Sequence, residues 1–326
     1  MASIQNLLSS SSQDGSVEPG AIGSKQPIEN GSTATETTRF IIEFILDLVC
    51  PYCYITLKNL DTAITLYRAK HPEAVIEVVC TPFLLDPLAA RSVYDKASYL
   101  QERSLQRQGH SGEHLASLAA EAGVEFDWTG RTGNTRDAHK LLRFALEPAP
   151  TAVRSTAFAT GGPRAPDPVP VSPSPSSGAP APPPLARGPA LQLRLLAALF
   201  AAHHSGGADI SSRDFLASLG ASIFRTTTTT TTNSNSNSNE ISADDLRVSV
   251  LESAAWDAAV EALAAEARWR RGRGAAAAIG AVPTLVVNDR YVIGGAQGAG
   301  FLAVELERIR AAGHGHGHGR GQQGQG

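Results

Sequence analysis

The run Cys50-Pro51-Tyr52-Cys53 is the part of this sequence best equipped for chemistry. Thiols with two residues between them can close on each other, so the pair can take up or release two electrons by thiol–disulfide exchange. Half of a structural zinc site is the competing reading. That site needs four ligands, usually two such pairs, and only Cys80 remains. Pro favours the first position of a helix, because its missing N–H would have no partner there. Cys50 is then expected at the N-cap, at an exposed helix mouth, its sulfur facing the free amides of Tyr52 and Cys53 and the positive end of the helix dipole. Such a setting lowers a thiol from ~8.5 to between ~3.5 and ~7.5. Cys53, Leu57, Leu60, Ile64 and Tyr67 fall on one helix face, which buries the second sulfur. One sulfur can attack a partner and the other, shielded, can resolve the mixed disulfide.

These residues need a frame. Arg39–Leu46 reads as a buried strand, the Cys53–Tyr67 pattern as a helix stopping near His71-Pro72, and Ala74–Cys80 as a second strand. Strand, helix and strand in that span make a βαβ unit with parallel neighbours. A helical middle follows. Ala138, Leu141, Leu142 and Ala145 form one stripe, with Asn134 and Asp137 suited to its start; Leu191, Leu195, Ala198 and Ala202 form another. Asp209-Ile-Ser-Ser opens a short helix through Leu219, and Ser242-Ala-Asp-Asp245 caps a long Ala-rich helix to about Arg270. The chain then returns to β: Pro283–Val287, a turn at Asn288-Asp289, Arg290–Ile293, and a last helix from Phe301 to Arg310.

Composition bounds the function. Formal net charge is -3, which argues against a general nucleic-acid binder, and three cysteines in 326 residues exclude a disulfide-stapled secreted scaffold. No apolar stretch is long enough for a transmembrane helix. The N-terminus has no basic region followed by an apolar one and no Arg before Arg39, so neither a secretory signal nor a transit peptide is expected. The expected compartment is the cytosol, with no membrane partner. Residues 1–38 and the Gly/His tail 313–326 read as disordered. The segment 148–189, with thirteen of the twenty prolines, and the Thr/Asn/Ser segment 226–239 read as low-complexity interruptions. The proline segment would be an extended linker or a docking site for proline-binding modules.

Val282-Pro283 is the second chemical signal. A proline opening a strand is tolerated, since it owes no ladder donor there. The sharper reading is a cis peptide bond beside the helix mouth that carries Cys50. Three stretches, Phe44–Tyr54, Asn134–Leu142 and Gly280–Gln297, together resemble the DsbA-like thioredoxin-fold family, and within it the FrnE-type branch. The resemblance spans about residues 39–147 and 190–311. It implies an α/β thioredoxin-like fold (βαβ plus ββα) with a large helical insertion. The thioredoxin-like part would be 39–88 with 279–312, and the insertion 89–278. It also implies Cys50 as nucleophile, Cys53 as resolving thiol, Pro283 as the cis residue, and Val282 as the backbone that pairs with substrate. Pro51 and Tyr52 would line the substrate contact, while Asn134 and His139 match positions facing the cleft. Read from the residues alone, those two are a helix cap and a flank histidine, with His139 the best-placed base or substrate contact.

The implied activity is thiol–disulfide exchange on protein or small-molecule thiols and disulfides, with no metal and no tightly bound cofactor. Branch members commonly carry Trp where this chain has Tyr52. Glutaredoxins also use Cys-Pro-Tyr-Cys, which makes glutathione a candidate co-substrate. The related kappa glutathione transferases and 2-hydroxychromene-2-carboxylate isomerases supply the alternative, a glutathione-dependent transferase or isomerase, although they usually place Ser at the position of Cys50. Cys80 reads as a buried, inert thiol. The run Arg268–Arg273 suits a helix C-terminus, the alternating His314, His316 and His318 suit a tail, and the adjacent His203 and His204 cannot share a face of a regular helix.

Overall fold

A computed structural model describes residues 38–106, 112–146, 187–228, 241–269 and 279–314. Most of the expected tails and of the 148–189 and 226–239 segments, with Arg270–Arg273, His316 and His318, lie outside the described residues, while His314 ends the last helix. The central strand is β1 (Arg39–Leu46), in which Phe40, Ile42 and Phe44 alternate inward before Ile45 and Leu46, also buried. Helix α1 (Pro51–Lys70) carries the chain to β2 (Val75–Pro82), which pairs parallel to β1 from Arg39↔Val75 to Leu46↔Pro82. This is the expected βαβ unit. All five residues of the predicted helix face, Cys53, Leu57, Leu60, Ile64 and Tyr67, are buried.

The other half of the sheet comes from the far end of the sequence. Strand β5 (Thr284–Val287) lies antiparallel to β1 with Ile45 opposite Thr284, and β6 (Tyr291–Gly294) pairs antiparallel with β5. (Two short strands of the insertion, β3 at Tyr94–Asp95 and β4 at Arg131–Thr132, pair separately.) The sheet order is β2-β1-β5-β6. Asn288 and Asp289 turn the hairpin with φ of 51° and 54°. Asn tolerates that left-handed region better than most residues. Here its side chain also accepts from the Ile41 amide at 2.8 Å and donates to the Arg39 carbonyl at 3.3 Å. The last helix, α9 (Ala299–His314), packs against α1, and His71 meets Glu307 at 2.8 Å between them. The molecule is therefore an α/β thioredoxin-like fold, four strands with α1 and α9, interrupted by a helical insertion.

Between the two halves run α2 (Lys96–Gln106), α3 (Gly112–Glu121), α4 (Arg136–Leu146), α5 (Pro189–Phe200), α6 (Arg213–Thr228), α7 (Ala243–Leu246) and α8 (Ala254–Trp269). β2 is an edge strand, and an open edge invites foreign pairing. Gln192 on α5 closes it: its amide accepts from the Cys80 N–H at 2.8 Å and donates to the Cys80 carbonyl at 3.2 Å.

Several expected boundaries shift. Pro189, assigned to the low-complexity segment, is the first residue of α5, and Thr226–Thr228 close α6, which extends well past Leu219. The stripe through Leu191, Leu195, Ala198 and Ala202 is only part of the buried surface, with Leu191 and Leu195 buried. Ala198 and Ala202 are half-buried, while Leu193, Leu196, Leu199 and Phe200 are buried, because α5 is enclosed round most of its circumference. The long helix from Ser242 is broken. Ser242 and Asp245 do form a reciprocal capping box. A π turn, Arg247–Leu251, follows α7, and the chain bends at Glu252-Ser253 before α8. There the Leu251 carbonyl accepts from the buried Lys140 ammonium at 2.8 Å, which satisfies it where the helix ends.

Candidate active site

The site begins with a turn. After β1 the Cys50 amide donates back to the Asp47 carbonyl at 3.1 Å, which makes Leu48–Val49 the central peptide of a four-residue turn. Cys50 is extended (φ -84°, ψ 112°) and forms the N-cap of α1, with Pro51 in the first turn, as expected. Cys53 lies one turn on and has no exposed surface.

Two expectations about Cys50 need correction. It is not exposed at the helix mouth but 3% accessible. Its sulfur makes no capping hydrogen bond; the Cys53 amide donates instead to the Cys50 carbonyl at 3.1 Å. The thiol is directed across the sheet end, where it donates to the Val282 carbonyl at 3.9 Å. Pairing of Ile45 with Thr284 brings the two segments together, the Val282–Pro283 peptide is cis, and the Thr284 hydroxyl bonds the Ala281 carbonyl at 2.8 Å to brace the bend. Proximity to Val282 is what covers the sulfur.

Burial, then a hydrogen bond and negative charge from Cys50, hold the Cys53 thiol well above the usual range. A backbone hydrogen bond at Asp47 opposes this and the Asp47 carboxylate adds to it. Burial likewise pushes the Cys80 thiol up, far from ionising. It sits in β2 and its backbone is occupied by Gln192.

Asp47 was passed over in the sequence because a lone Asp after a strand reads as a turn residue. It is fully buried. Its Oδ2 accepts from the Leu85 amide at 2.7 Å, and its Oδ1 lies 3.6 Å from Nε2 of His139, itself 3% accessible. Neither of the two facing atoms has a hydrogen-bond partner among the described residues. His139 thus meets the turn before Cys50 through Asp47. Asn134 is used by the fold: its Nδ2 donates to the Ala89 carbonyl at 2.9 Å and its Oδ1 accepts from the Arg136 amide at 2.8 Å, anchoring the start of α4. Tyr52 is half-buried against the core.

The adjacent histidines were also undervalued. They lie on a π turn, Ala201–Ser205, that continues α5, and both are completely buried. His203 reaches the Ala208 carbonyl at 2.8 Å, and His204 reaches the Leu48 carbonyl at 3.0 Å. The Lys96 ammonium, also buried, holds the π turn by donating to the His203 carbonyl at 2.6 Å and to the Asp127 carbonyl at 2.8 Å.

A groove of about 580 Å³ runs between α8 and the segments that lead away from β2 and toward Pro283. Phe83, Leu84, Leu85, Ala264, Arg268 and Ile279 line it. Arg268, the start of the basic run, donates to the Leu84 carbonyl and stacks over Phe83, 5.1 Å from the ring centre. Among the described residues no cluster of three or more His, Cys, Asp or Glu side chains is arranged to hold a metal ion, and no helix is long and apolar enough to cross a membrane.

Comparison with known proteins agrees with this architecture. No curated protein matches the chain in sequence. Among solved structures, one described as a probable DsbA oxidoreductase from Streptomyces coelicolor superposes with a TM-score of 0.54 at 19% identity, over 88% of this chain and 93% of that one. Looser matches include a 2-hydroxychromene-2-carboxylate isomerase (TM-score 0.44, 12% identity, 84% and 98% covered). Another is the cytosolic disulfide reductase DsbM from Pseudomonas aeruginosa with GSH (TM-score 0.41, 15% identity, 83% and 99% covered). At 19% identity the first of these shows the fold alone. Residues 41–161, which include most of β1, Cys50, Cys53, β2 and His139, match the family model of the DSBA-like thioredoxin domain. The chain thus shares the thioredoxin-like fold, and over part of its length it is similar to the DSBA-like thioredoxin domain.

Proposed function

We propose that this protein is a thiol–disulfide oxidoreductase with Cys50 as nucleophile and Cys53 as resolving thiol. The observation that carries the reading is the placement of the pair. Cys50 stands at a helix N-terminus opposite Val282 and the cis Pro283, while Cys53 is buried beneath it and kept protonated. The Cys50 thiolate attacks one sulfur of a substrate disulfide, that S–S bond breaks, and the departing substrate sulfur takes up a proton. Cys53 then gives up its proton and attacks the Cys50 sulfur. The second substrate thiol leaves, the substrate has gained two electrons, and Cys50–Cys53 is a disulfide. Two molecules of glutathione restore the dithiol and leave as glutathione disulfide. The reverse direction oxidises a dithiol.

Asp47 is a buried carboxylate beside this chemistry that acts on Cys53, with His139 3.6 Å behind it. Val282 offers its backbone to substrate once its contact with the Cys50 sulfur is given up. Pro51, Tyr52 and Pro283 border the approach, and Asn134 positions the segment through Ala89. Residues 39–88 with 279–312 form the redox part and 89–278 the insertion over it. The substrates are protein or small-molecule disulfides in a reducing, cytosolic compartment.

Insulin reduction with glutathione as reductant tests the reading. Cys50→Ser is expected to abolish turnover and Cys80→Ser to preserve it; equal turnover by wild type and Cys50→Ser would end the assignment. Glutathione-dependent isomerase or transferase activity that survives loss of both Cys50 and Cys53 would favour the alternative chemistry instead.

A further inference from the structure

We infer that His204, remote in sequence and on another element, is a positioning residue for Cys50: it pins the central peptide of the turn that delivers the nucleophile. This rests on the reading of Cys50 as nucleophile. The Leu48 carbonyl belongs to the peptide between the second and third residues of the Asp47–Cys50 turn. A carbonyl oxygen only accepts, so the 3.0 Å contact requires a proton on Nε2 of His204. Its Nδ1 has no hydrogen-bond partner among the described residues, consistent with the neutral Nε2–H tautomer.

The ring cannot swing away from this contact. Tyr54 lies nearly parallel to it at 5.7 Å, Phe200 is tilted at 5.6 Å, Phe126 stands edge-on at 5.8 Å and His203 edge-on at 4.7 Å. Tyr54 is on the first turn of α1, so one imidazole touches both the turn that precedes Cys50 and the helix that follows it. Three supports fix its backbone. The π turn sets both histidines inward, Lys96 bonds the His203 carbonyl, and the Asp127 amide donates to the His204 carbonyl at 2.6 Å. A π turn inside a helix is an unusual geometry that often accompanies function. Burial first, with His203 and the Lys96 ammonium opposing a second positive charge there, keeps the imidazole neutral and therefore a donor on one side only. The chain of contact is Lys96 to the π turn, His204 to Leu48, and the Leu48–Val49 peptide to Cys50. Loosening that peptide shifts the dipole next to the sulfur without touching the sulfur itself.

His204→Phe keeps the stacked ring and removes the donor, and His204→Gln keeps a donor without the ring nitrogens. Cys50 alkylation by iodoacetamide would be followed against pH in fully reduced, full-length protein, with the modified residue identified by peptide mass spectrometry. The expected result for a natively folded His204→Phe is alkylation slowed about three- to tenfold near neutrality, the scale set by one buried hydrogen bond, with the midpoint moved toward an ordinary thiol. His204→Gln is expected to recover part of the loss. A His204→Phe profile superimposed on wild type would overturn the inference while leaving Cys50 as nucleophile intact. Wild-type Cys50 no more reactive than free cysteine would remove both readings. Should His204→Phe fail to fold, ¹⁵N-imidazole NMR of the wild type decides. A slowly exchanging Nε2 proton on His204 is required, and an Nδ1–H tautomer would overturn the proposal.

Discussion

Acidification should strip stability from this fold through the π turn behind the active site, against an opposing carboxylate in α1. Burial first, with the hydrogen bond to Ala208 resisting it, pushes His203 from 6.5 down to about 4. A base with a depressed folded value binds fewer protons in the native state than in the unfolded chain between those limits. Its contribution is thus fully present above 6.5 and is lost as pH falls toward 4. Between pH 7 and pH 5 this one group costs about 2 kcal/mol. His204, also driven down by burial first and then by His203 and Lys96, adds a loss of the same sign. Asp61 acts the other way. Burial raises it from 3.8 to about 6, and its Oδ1 has no hydrogen-bond partner among the described residues. The native state therefore gains a proton first on acidification, and about 1.5 kcal/mol returns over the same interval. Two variants separate the opposing signs. His203→Asn keeps a donor toward Ala208 but takes no proton, and Asp61→Asn carries no charge. Urea unfolding at both pH values should show the stability advantage of wild type over His203→Asn shrinking by about 2 kcal/mol from pH 7 to pH 5. The advantage of Asp61→Asn over wild type should shrink by about 1.5 kcal/mol. If the gap between wild type and His203→Asn is the same at both pH values, the argument from buried, neutral histidine fails.

Three further outcomes follow from particular contacts. Cys53→Ser should keep the first step and lose the second, so incubation with insulin or glutathione disulfide is expected to accumulate a mixed disulfide on Cys50, seen as an added mass that dithiothreitol removes. Lys140 lies between Asp137 at 2.9 Å and Asp257 at 2.5 Å and also donates to Leu251. Lys140→Met leaves Asp137 buried with less compensation and should cost about 3–5 kcal/mol in urea unfolding. Asn288→Ala removes two hydrogen bonds to β1 and a residue suited to positive φ, for a loss of about 1–3 kcal/mol by the same measurement, with Cys50 alkylation unchanged.

What the sequence disclosed was local. Pro51 after Cys50 places the N-cap, because the constraint acts within one helical turn. The five-residue face of α1 follows from period alone, and Asn288-Asp289 announces its own hairpin. The βαβ unit and the parallel pairing of its strands follow because the connection is short and its handedness is limited. Cys50 shows where this stops. Its position on α1 was legible but its exposure was not, since the carbonyl that covers it belongs to Val282, on a segment that joins the sheet from the other end of the chain.

His204 shows the same limit more sharply. Adjacent residues on a regular helix point about a third of a turn apart, so reading His203-His204 as a pair with no shared face is sound for that geometry. The premise fails because the helix widens at Ala201–Ser205, and a π turn sends both rings inward. Nothing in the local sequence specifies that widening. It is held by Lys96, more than a hundred residues earlier, and by the Asp127 amide. The same distance separates cause from effect in Asp47, a turn residue by pattern, whose burial depends on Leu85 and His139. Period and capping act within a turn or two of chain, and they found the sulfur and the helix beneath it. The groups that set the field and fix the backbone around that sulfur are brought there by tertiary packing, and buried polar atoms with partners far off in sequence are the signal by which they can be found.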